Sequence, residues 1–168
     1  MKRPVQVGTL LTVLLTFALL HASAIVRAKA DRVLVLKSEH KLLLLNGDKV
    51  IKTYLIALGR GGLLPKQQQG DRRTPEGLYA IDRRNRGSNF HRALHISYPN
   101  EADRAQAREL GVSPGADIMI HGITNGLGWV GASHRITDWT DGCIAVTNAE
   151  IEEIWNLVPD GTPVEIRP

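Results

Sequence analysis

The chain has 168 residues, of which 43% are hydrophobic and 23% are charged, and its formal net charge is +4. Residues 1–30 hold four of the 21 Lys and Arg residues and none of the 17 acids, so residues 31–168 carry equal numbers of basic and acidic side chains. A near-neutral domain gives no support for binding nucleic acid through phosphate contacts. The remaining length is enough for one domain with a single core.

The first thirty residues have the pattern of a secretory signal peptide. Two basic residues precede an apolar run from Val5 to Leu20, and small residues then offer cleavage sites after Ala24 or Ala30. An uncleaved membrane anchor is the alternative, although this apolar run is short for a bilayer span of about 20 residues. We therefore predict export to the periplasm or cell envelope, with membrane contact only through this segment.

Residues 31–168 alternate between apolar runs and turn signals. Asn46-Gly47 separates two apolar runs and indicates a β-hairpin. A long polar loop follows Leu58, and a loop of this length is either functional or a solvated linker. Further strands are predicted over 78–81, 94–97, 117–120, 144–146 and 164–166, with short helices over 101–110 and after the capping box that begins at Thr147. The pattern predicts a mainly β fold of the β-rich α+β class.

Cys143 is the only cysteine, so in an exported protein it is either buried and inert or kept for chemistry. Gly142 lets the backbone approach a substrate, and the apolar run after the thiol predicts a strand that fixes it. His121 ends a predicted strand, and Gly122 then allows a sharp exit. A histidine near a thiol can act as its base, so we predict Cys143 as nucleophile, His121 as base and the N–H groups near Gly142 as oxyanion donors. His134 is the rival base.

The order His121-Gly122, a connection, then Thr140-Asp141-Gly142-Cys143-Ile144 resembles the signature of the L,D-transpeptidase catalytic domain of the YkuD type. The stretch Gly70–Tyr79 resembles a second block of that family. The resemblance covers Asp31 to Pro168, which we expect to be one catalytic domain after the 1–30 signal peptide. It implies a mixed-sheet β-sandwich with two short helices.

The family resemblance also implies a substrate. Family members cleave the bond between diaminopimelate and D-Ala in peptidoglycan stem tetrapeptides through a cysteine acyl-enzyme. They then form 3-3 cross-links or attach an envelope lipoprotein. A hydrolase built on the same domain and a non-catalytic peptidoglycan-binding module are the alternatives. A sortase shares the His-then-Cys order, but its downstream arginine would have to be Arg167, at the extreme C-terminus.

Two positions depart from the family pattern. Asp141 stands where a His is usual, and Ala145 stands where many members carry Arg. The substrate carboxylate then needs another cation. We predict Arg135, paired with Asp141, because it lies in the same connection between base and nucleophile.

The remaining substrate-binding candidates flank the site in sequence. They are Gly122, Thr140, Asp141 and Trp129, the last in a Gly-rich segment that could wall the site. This segment matches the bare G-x-G-x-x-G pattern but lacks the strand-loop-helix setting of a phosphate loop. His91 and His95 lack further ligands at metal-binding spacing. We predict neither a cofactor nor a metal.

Overall fold

The computed structural model describes residues 28–168, so most of the predicted signal peptide lies outside the described residues. The described part is mainly β, as predicted. The strands are β1 Arg32–Leu36, β2 Lys41–Asn46, β3 Lys49–Leu55, β4 Gly77–Asn85, β5 Ala93–Ile96, β6 Met119–His121, β7 Ile144–Ala145 and β8 Pro163–Arg167. The helices are α1 Glu101–Glu109 and α2 Asn148–Leu157, and a 3-10 segment spans Gly128–Ile136 with a kink at Gly131.

Alternation of apolar and polar residues builds the first strands. Val33 and Val35 of β1 and Leu42 and Leu44 of β2 are fully buried, whereas Leu34 and Leu43 between them are only partly buried. The predicted β2–β3 hairpin is confirmed, but its two-residue loop is Gly47-Asp48, one position later than predicted. Gly47 has a φ of 57°, which a glycine adopts without steric cost.

The eight strands form one mixed sheet in the order β3-β2-β1-β8-β4-β5-β6-β7. The pairs β1–β8 and β6–β7 are parallel, and the others are antiparallel. Just after β3, Ala57 exchanges two backbone hydrogen bonds with Ala145 of β7, at 2.8 and 3.0 Å. The two ends of the sheet therefore meet, and the sheet curls around a core of Val, Leu and Ile side chains.

Both predicted helices are confirmed, each with a complete capping box. Asn100 and Asp103 cap α1, and Thr147 and Glu150 cap α2, so the first N–H groups of each helix have acceptors. Helix α2 buries Ile151, Ile154, Trp155 and Leu157 against the sheet.

The folded domain begins before the boundary predicted at Asp31. Ala30 is 2% exposed, and its N–H donates to the carbonyl of Leu157 at 2.8 Å. The carbonyl of Lys29 accepts from Asn46 Nδ2 at 2.8 Å. Among residues 28–168, no helix is long and apolar enough to cross a membrane.

Candidate active site

The parallel strands β6 and β7 bring the predicted nucleophile and base together. His121 pairs with Ala145, and Ile120 pairs with Ile144, so Cys143, which directly precedes β7, lies beside Met119. Side chains two residues apart along a strand face the same side of a sheet. Cys143 and His121 are therefore diagonal neighbours on one face, two residues apart in register.

The loop before Cys143 is held by Thr140 and requires a glycine. The Thr140 hydroxyl donates to the Cys143 carbonyl at 2.7 Å and accepts the Gly142 N–H at 3.2 Å. Gly142 has a φ of 123°, and a Cβ there would lie 2.7 Å from the Arg73 carbonyl oxygen. Thr140 is 5% exposed, so it shapes this loop from within. A substrate contact at Thr140 stays a prediction.

The thiol lies against the segment just before β6. Cys143 Sγ donates to the Asp117 carbonyl at 3.6 Å. Burial raises the pKa of the Cys143 thiol, and the carboxylates of Asp117 and Asp141 raise it further, against the opposing effects of the Met119 N–H and Lys66. The Gly142 N–H is occupied by Thr140. Among the described residues, the Cys143 N–H has no acceptor and is the one left to stabilise an oxyanion.

His121 is buried, at 2% exposure, and its tautomer is fixed. Nδ1 lies 2.6 Å from the Gly122 carbonyl oxygen, which can only accept, so Nδ1 carries the proton and Nε2 is left as the basic atom. Burial is the main reason that the pKa of His121 falls to about 4, against the effect of the Gly122 hydrogen bond. The imidazole is therefore neutral at physiological pH.

Gly122 positions His121 through its backbone. It is buried, and a Cβ there would lie 2.7 Å from Asn148 Oδ1 and 3.0 Å from the Phe90 carbonyl oxygen. Its N–H donates to the carbonyls of Phe90 and Arg92, which turns the chain at the end of β6. The structure thus gives Gly122 a backbone role, and a substrate contact at Gly122 stays a prediction.

Two aromatic residues surround the imidazole. The Phe90 ring centroid lies 4.4 Å from that of His121, and the Trp139 centroid lies 5.7 Å away in an edge contact. Sequence reasoning missed both residues. Trp139 lies four positions before Cys143, but nothing in the sequence signals that Phe90 reaches the site.

Residues 60–76, here called the supporting loop, pass close to Gly142, the residue before the thiol. Asp71 holds this loop by pairing with Lys66 at 2.8 Å and accepting N–H groups of Gln67, Gln68 and Arg73. Burial acts to raise the pKa of Asp71, but these hydrogen bonds prevail and lower it to about 2. The loop is a built part of the site, not a solvated linker.

The end of the supporting loop is attached to the sheet. The Thr74 hydroxyl accepts the Gly59 N–H at 3.1 Å. Lys37, which is fully buried, donates to the Thr74 carbonyl at 3.0 Å and pairs with Glu76 at 2.7 Å. The loop that contacts Gly142 is therefore tied to Lys37, just after β1, and to the segment after β3.

The predicted pairing of Arg135 with Asp141 is wrong. Arg135, in the last turn of the 3-10 segment, pairs with Glu150 in the first turn of α2. Asp141 instead pairs with Arg60 at 2.8 Å, and Arg72 Nε lies 3.7 Å from the same oxygen. The cations beside Asp141 thus come from the supporting loop.

Two cavities flank the site. One, of about 510 Å³, has charged walls that include Lys66, Arg72, Asp117 and Asp141. The other, of about 250 Å³, is lined by Trp139 and by residues of the 3-10 segment. Trp129, predicted as a wall of the site, is 82% exposed and lines neither of these cavities.

The two histidines considered as metal ligands each contact a different carboxylate. His91 Nε2 contacts Glu152 at 2.8 Å, and His95 Nδ1 contacts Asp82 at 2.5 Å. Within residues 28–168, no three His, Cys, Asp or Glu side chains are grouped as metal ligands would be.

The described part of the chain is a mixed curled sheet in which two adjacent parallel strands bring a cysteine and a histidine together. A family model of the L,D-transpeptidase catalytic domain (YkuD) matches residues 30–166, and the chain belongs to this family. The family and fold class predicted from sequence are thus confirmed.

Named relatives agree with this assignment. YafK of Escherichia coli K12, whose name marks it as a candidate L,D-transpeptidase, is 35% identical over 112 residues, which cover 66% of this chain and 38% of that protein. The helical cell shape determining protein Pgp2 of Campylobacter jejuni has a similar structure, with a TM-score of 0.64 and 25% identity over 84% of this chain and 48% of that one. Bd1075 of Bdellovibrio bacteriovorus gives 0.57 and 26%, covering 83% and 48%.

The L,D-transpeptidase of Xylanimonas cellulosilytica, at 18% identity and a TM-score of 0.55, shares the fold. The match covers 83% of this chain and 61% of that protein's chain. The chain thus spans less than half of the YafK, Pgp2 and Bd1075 chains that it matches.

Proposed function

We propose that this chain is an exported peptidoglycan L,D-transpeptidase that works through a cysteine acyl-enzyme. The observation that carries the proposal is the fixed tautomer of His121: the Gly122 carbonyl holds Nδ1–H, so Nε2 is the basic atom on the face that also carries Cys143. A neutral imidazole beside a protonated thiol is a general-base pair.

The first half-reaction forms the acyl-enzyme. Nε2 of His121 takes the thiol proton as Sγ attacks the carbonyl carbon of the bond between diaminopimelate and D-Ala in a stem tetrapeptide. The Cys143 N–H donates to the oxyanion. The imidazolium then returns the proton to the departing amine, and D-Ala leaves.

The second half-reaction releases the acyl group. An amine of a second stem peptide attacks the thioester and its proton passes to His121. The C–S bond then breaks to give a 3-3 cross-link, and His121 returns the proton to the departing Sγ of Cys143. An amine of an envelope lipoprotein would be attached by the same step. If water attacks instead, the same site is a hydrolase, which is the alternative outcome.

Adduct formation tests the proposal. Intact mass after incubation with a carbapenem should show one added molecule on the wild-type chain and none on Cys143→Ser, and a stem tetrapeptide should lose D-Ala only with the wild type. His121→Asn should abolish turnover, whereas His91→Asn, at a surface pair with Glu152, should not. Full turnover by Cys143→Ser would refute the proposal, and absence of both adduct and turnover in the wild type would favour a binding module. Adding an acceptor peptide separates cross-linking from hydrolysis.

A further inference from the structure

The 3-10 segment and the turn before it present apolar side chains that have no place in the reaction above. Trp129 is 82% exposed, and Leu127, two positions before it, is 46% exposed. Exposed apolar residues that cluster commonly mark a binding surface. Leu127 and Val130, on either side of Trp129 in sequence, line the smaller cavity together with Trp139. The segment that carries the exposed indole therefore forms one wall of that cavity.

The backbone beside Trp129 is held in place by Asn148 at the start of α2. A Cβ on Gly128 would lie 2.6 Å from Asn148 Nδ2, so the chain packs directly on this amide. The Val130 N–H donates to the Leu127 carbonyl at 3.0 Å, which closes the turn around Trp129. The indole is exposed, but the backbone that carries it is fixed. A pre-organised surface of this kind costs less conformational entropy when a ligand binds.

The same asparagine contacts the residue next to the proposed base. Asn148 Oδ1 accepts the Ile123 N–H at 2.8 Å, and it would lie 2.7 Å from a Cβ on Gly122. Gly122 directly follows the proposed base, and Gly128 directly precedes Trp129. The two glycines are therefore separated only by the width of one amide group. The backbone at Trp129 thus lies close to the backbone at the base.

The composition of this surface favours an uncharged ligand. Residues 123–133 contain no Asp, Glu, Lys, Arg or His, and their polar side chains are two hydroxyls and one amide. Both hydroxyl residues, Thr124 and Ser133, line the smaller cavity. An anionic ligand would need cations here. A sugar has the matching chemistry, because one face of its ring is made of C–H groups that pack on an aromatic ring, and hydroxyl groups surround that face.

We propose that Trp129 and residues 123–133 around it, here called the neutral platform, bind a sugar of the glycan strand to which the donor stem peptide is attached. The inference rests on the proposed function. In a stem tetrapeptide three residues lie between the sugar and the bond that is cleaved, and three extended residues span about 10 Å. The glycan must therefore pass close to the catalytic pair, and the neutral platform adjoins the base. The sugar packs its C–H face on the indole of Trp129, and the platform takes no part in the chemical step.

Two donors test the inference: a stem tetrapeptide alone, and the same tetrapeptide attached to its N-acetylated disaccharide. For the wild type we expect about tenfold higher kcat/KM with the disaccharide, through a lower KM at similar kcat, because covering one face of an indole removes apolar surface from water. In Trp129→Ala the two donors should become equivalent. Trp129→Tyr, which keeps an aromatic face, should retain most of the preference.

Ile136→Ala is the matched control, because Ile136 is also 82% exposed and belongs to the same 3-10 segment. It should leave the preference for the disaccharide donor unchanged. A wild type without this preference would overturn the inference, as would a preference that survives in Trp129→Ala. An equal loss of kcat/KM for both donors in Trp129→Ala would indicate a merely structural role and would also overturn it.

Binding can be measured without turnover. In Cys143→Ala, the indole N–H signal of Trp129, assigned by its loss in Trp129→Tyr, should shift saturably in NMR spectra as an oligosaccharide of four N-acetylglucosamine units is added. No shift with the oligosaccharide would overturn the inference, and so would a shift only with phosphatidylglycerol vesicles or only on self-association of the chain. A wild type that cleaves neither donor would instead refute the proposed function, and the NMR titration would then decide the inference alone.

Discussion

Measuring the charge state of the Cys143 thiol in the resting protein is the most direct test of how the site works. Burial raises the pKa of Cys143 above its ordinary value of 9.0, and burial lowers the pKa of His121 to about 4. At pH 7 the thiolate fraction is then below about 1%. Lowering the pKa of His121 from 6.5 to about 4 makes protonation of the imidazole harder by about 3 kcal/mol, and the raised pKa of the thiol opposes the proton transfer further. The resting pair is neutral, unlike a preformed thiolate–imidazolium pair.

The rate of alkylation by iodoacetamide, followed by intact mass, measures the thiolate fraction. We expect the rate to rise about tenfold per pH unit from pH 5 to pH 9, without a plateau. His121→Asn should leave this profile nearly unchanged, because the thiol in the resting state is bonded to the Asp117 carbonyl and not to the imidazole. Cys143→Ser, which has no thiol, gives the background rate.

Turnover should follow a different profile. The kcat/KM value for a stem tetrapeptide should fall on the acid side only as pH approaches 4, where His121 becomes protonated and can no longer accept the thiol proton. A plateau in alkylation between pH 5 and 8, with an apparent thiol pKa below 7, would refute the neutral-pair reasoning. So would an acid limb of kcat/KM centred near the ordinary histidine value of 6.5.

Three further predictions concern the surroundings of the site. Asp71→Asn should lower the free energy of unfolding, measured in urea, by about 2.5 kcal/mol at pH 7. The pKa of the Asp71 carboxyl is lower in the folded state than in the unfolded state, so its contribution to stability is present above pH 4 and is lost as pH falls towards 2. The stabilities of the variant and the wild type should converge there. Gly142→Ala should reduce kcat by about a hundredfold while thermal unfolding stays cooperative, because the new Cβ meets the Arg73 carbonyl and displaces the thiol; unchanged kcat would contradict this. Mature protein should begin after Ala24, since Ala30 is hydrogen-bonded into the fold, and N-terminal sequencing that begins at residue 31 would contradict this.

Local patterns in the sequence were enough to predict most elements of the fold. The capping boxes that begin at Asn100 and Thr147 require only residues three apart, and the hairpin requires only a turn between apolar runs. The sequence predicts His121 and Cys143 as a reactive pair because each adjoins a glycine and a core strand, and the structure places them on adjacent strands. In these cases the information lies within a few residues of the chain.

Contacts between distant segments could not be predicted in the same way. Arg135 is close to Asp141 in sequence, yet Arg60, which is 81 residues away, makes the ion pair. Phe90 packs on His121 only because the turn after β6 lies against its backbone. The role of Asp71 depends on a loop whose polar composition is equally typical of a linker. Charge pairing and loop structure follow from the assembled sheet, so no short window contains them.

The structure explains the two departures from the family pattern, Asp141 and Ala145, together. Ala145 is fully buried, shares a face with His121 and exchanges both of its backbone hydrogen bonds with Ala57. An arginine here would bury a guanidinium beside the imidazole, which costs several kcal/mol without a partner and would further disfavour protonation of the base. In this chain the ring of His121 contacts aromatic side chains instead. The positive charges near the thiol are those of Arg60 and Arg72, which lie around the exposed Asp141. We therefore expect these two side chains, about half exposed and already within reach of a carboxylate, to be the cations that a substrate carboxylate on the charged side of the thiol would meet.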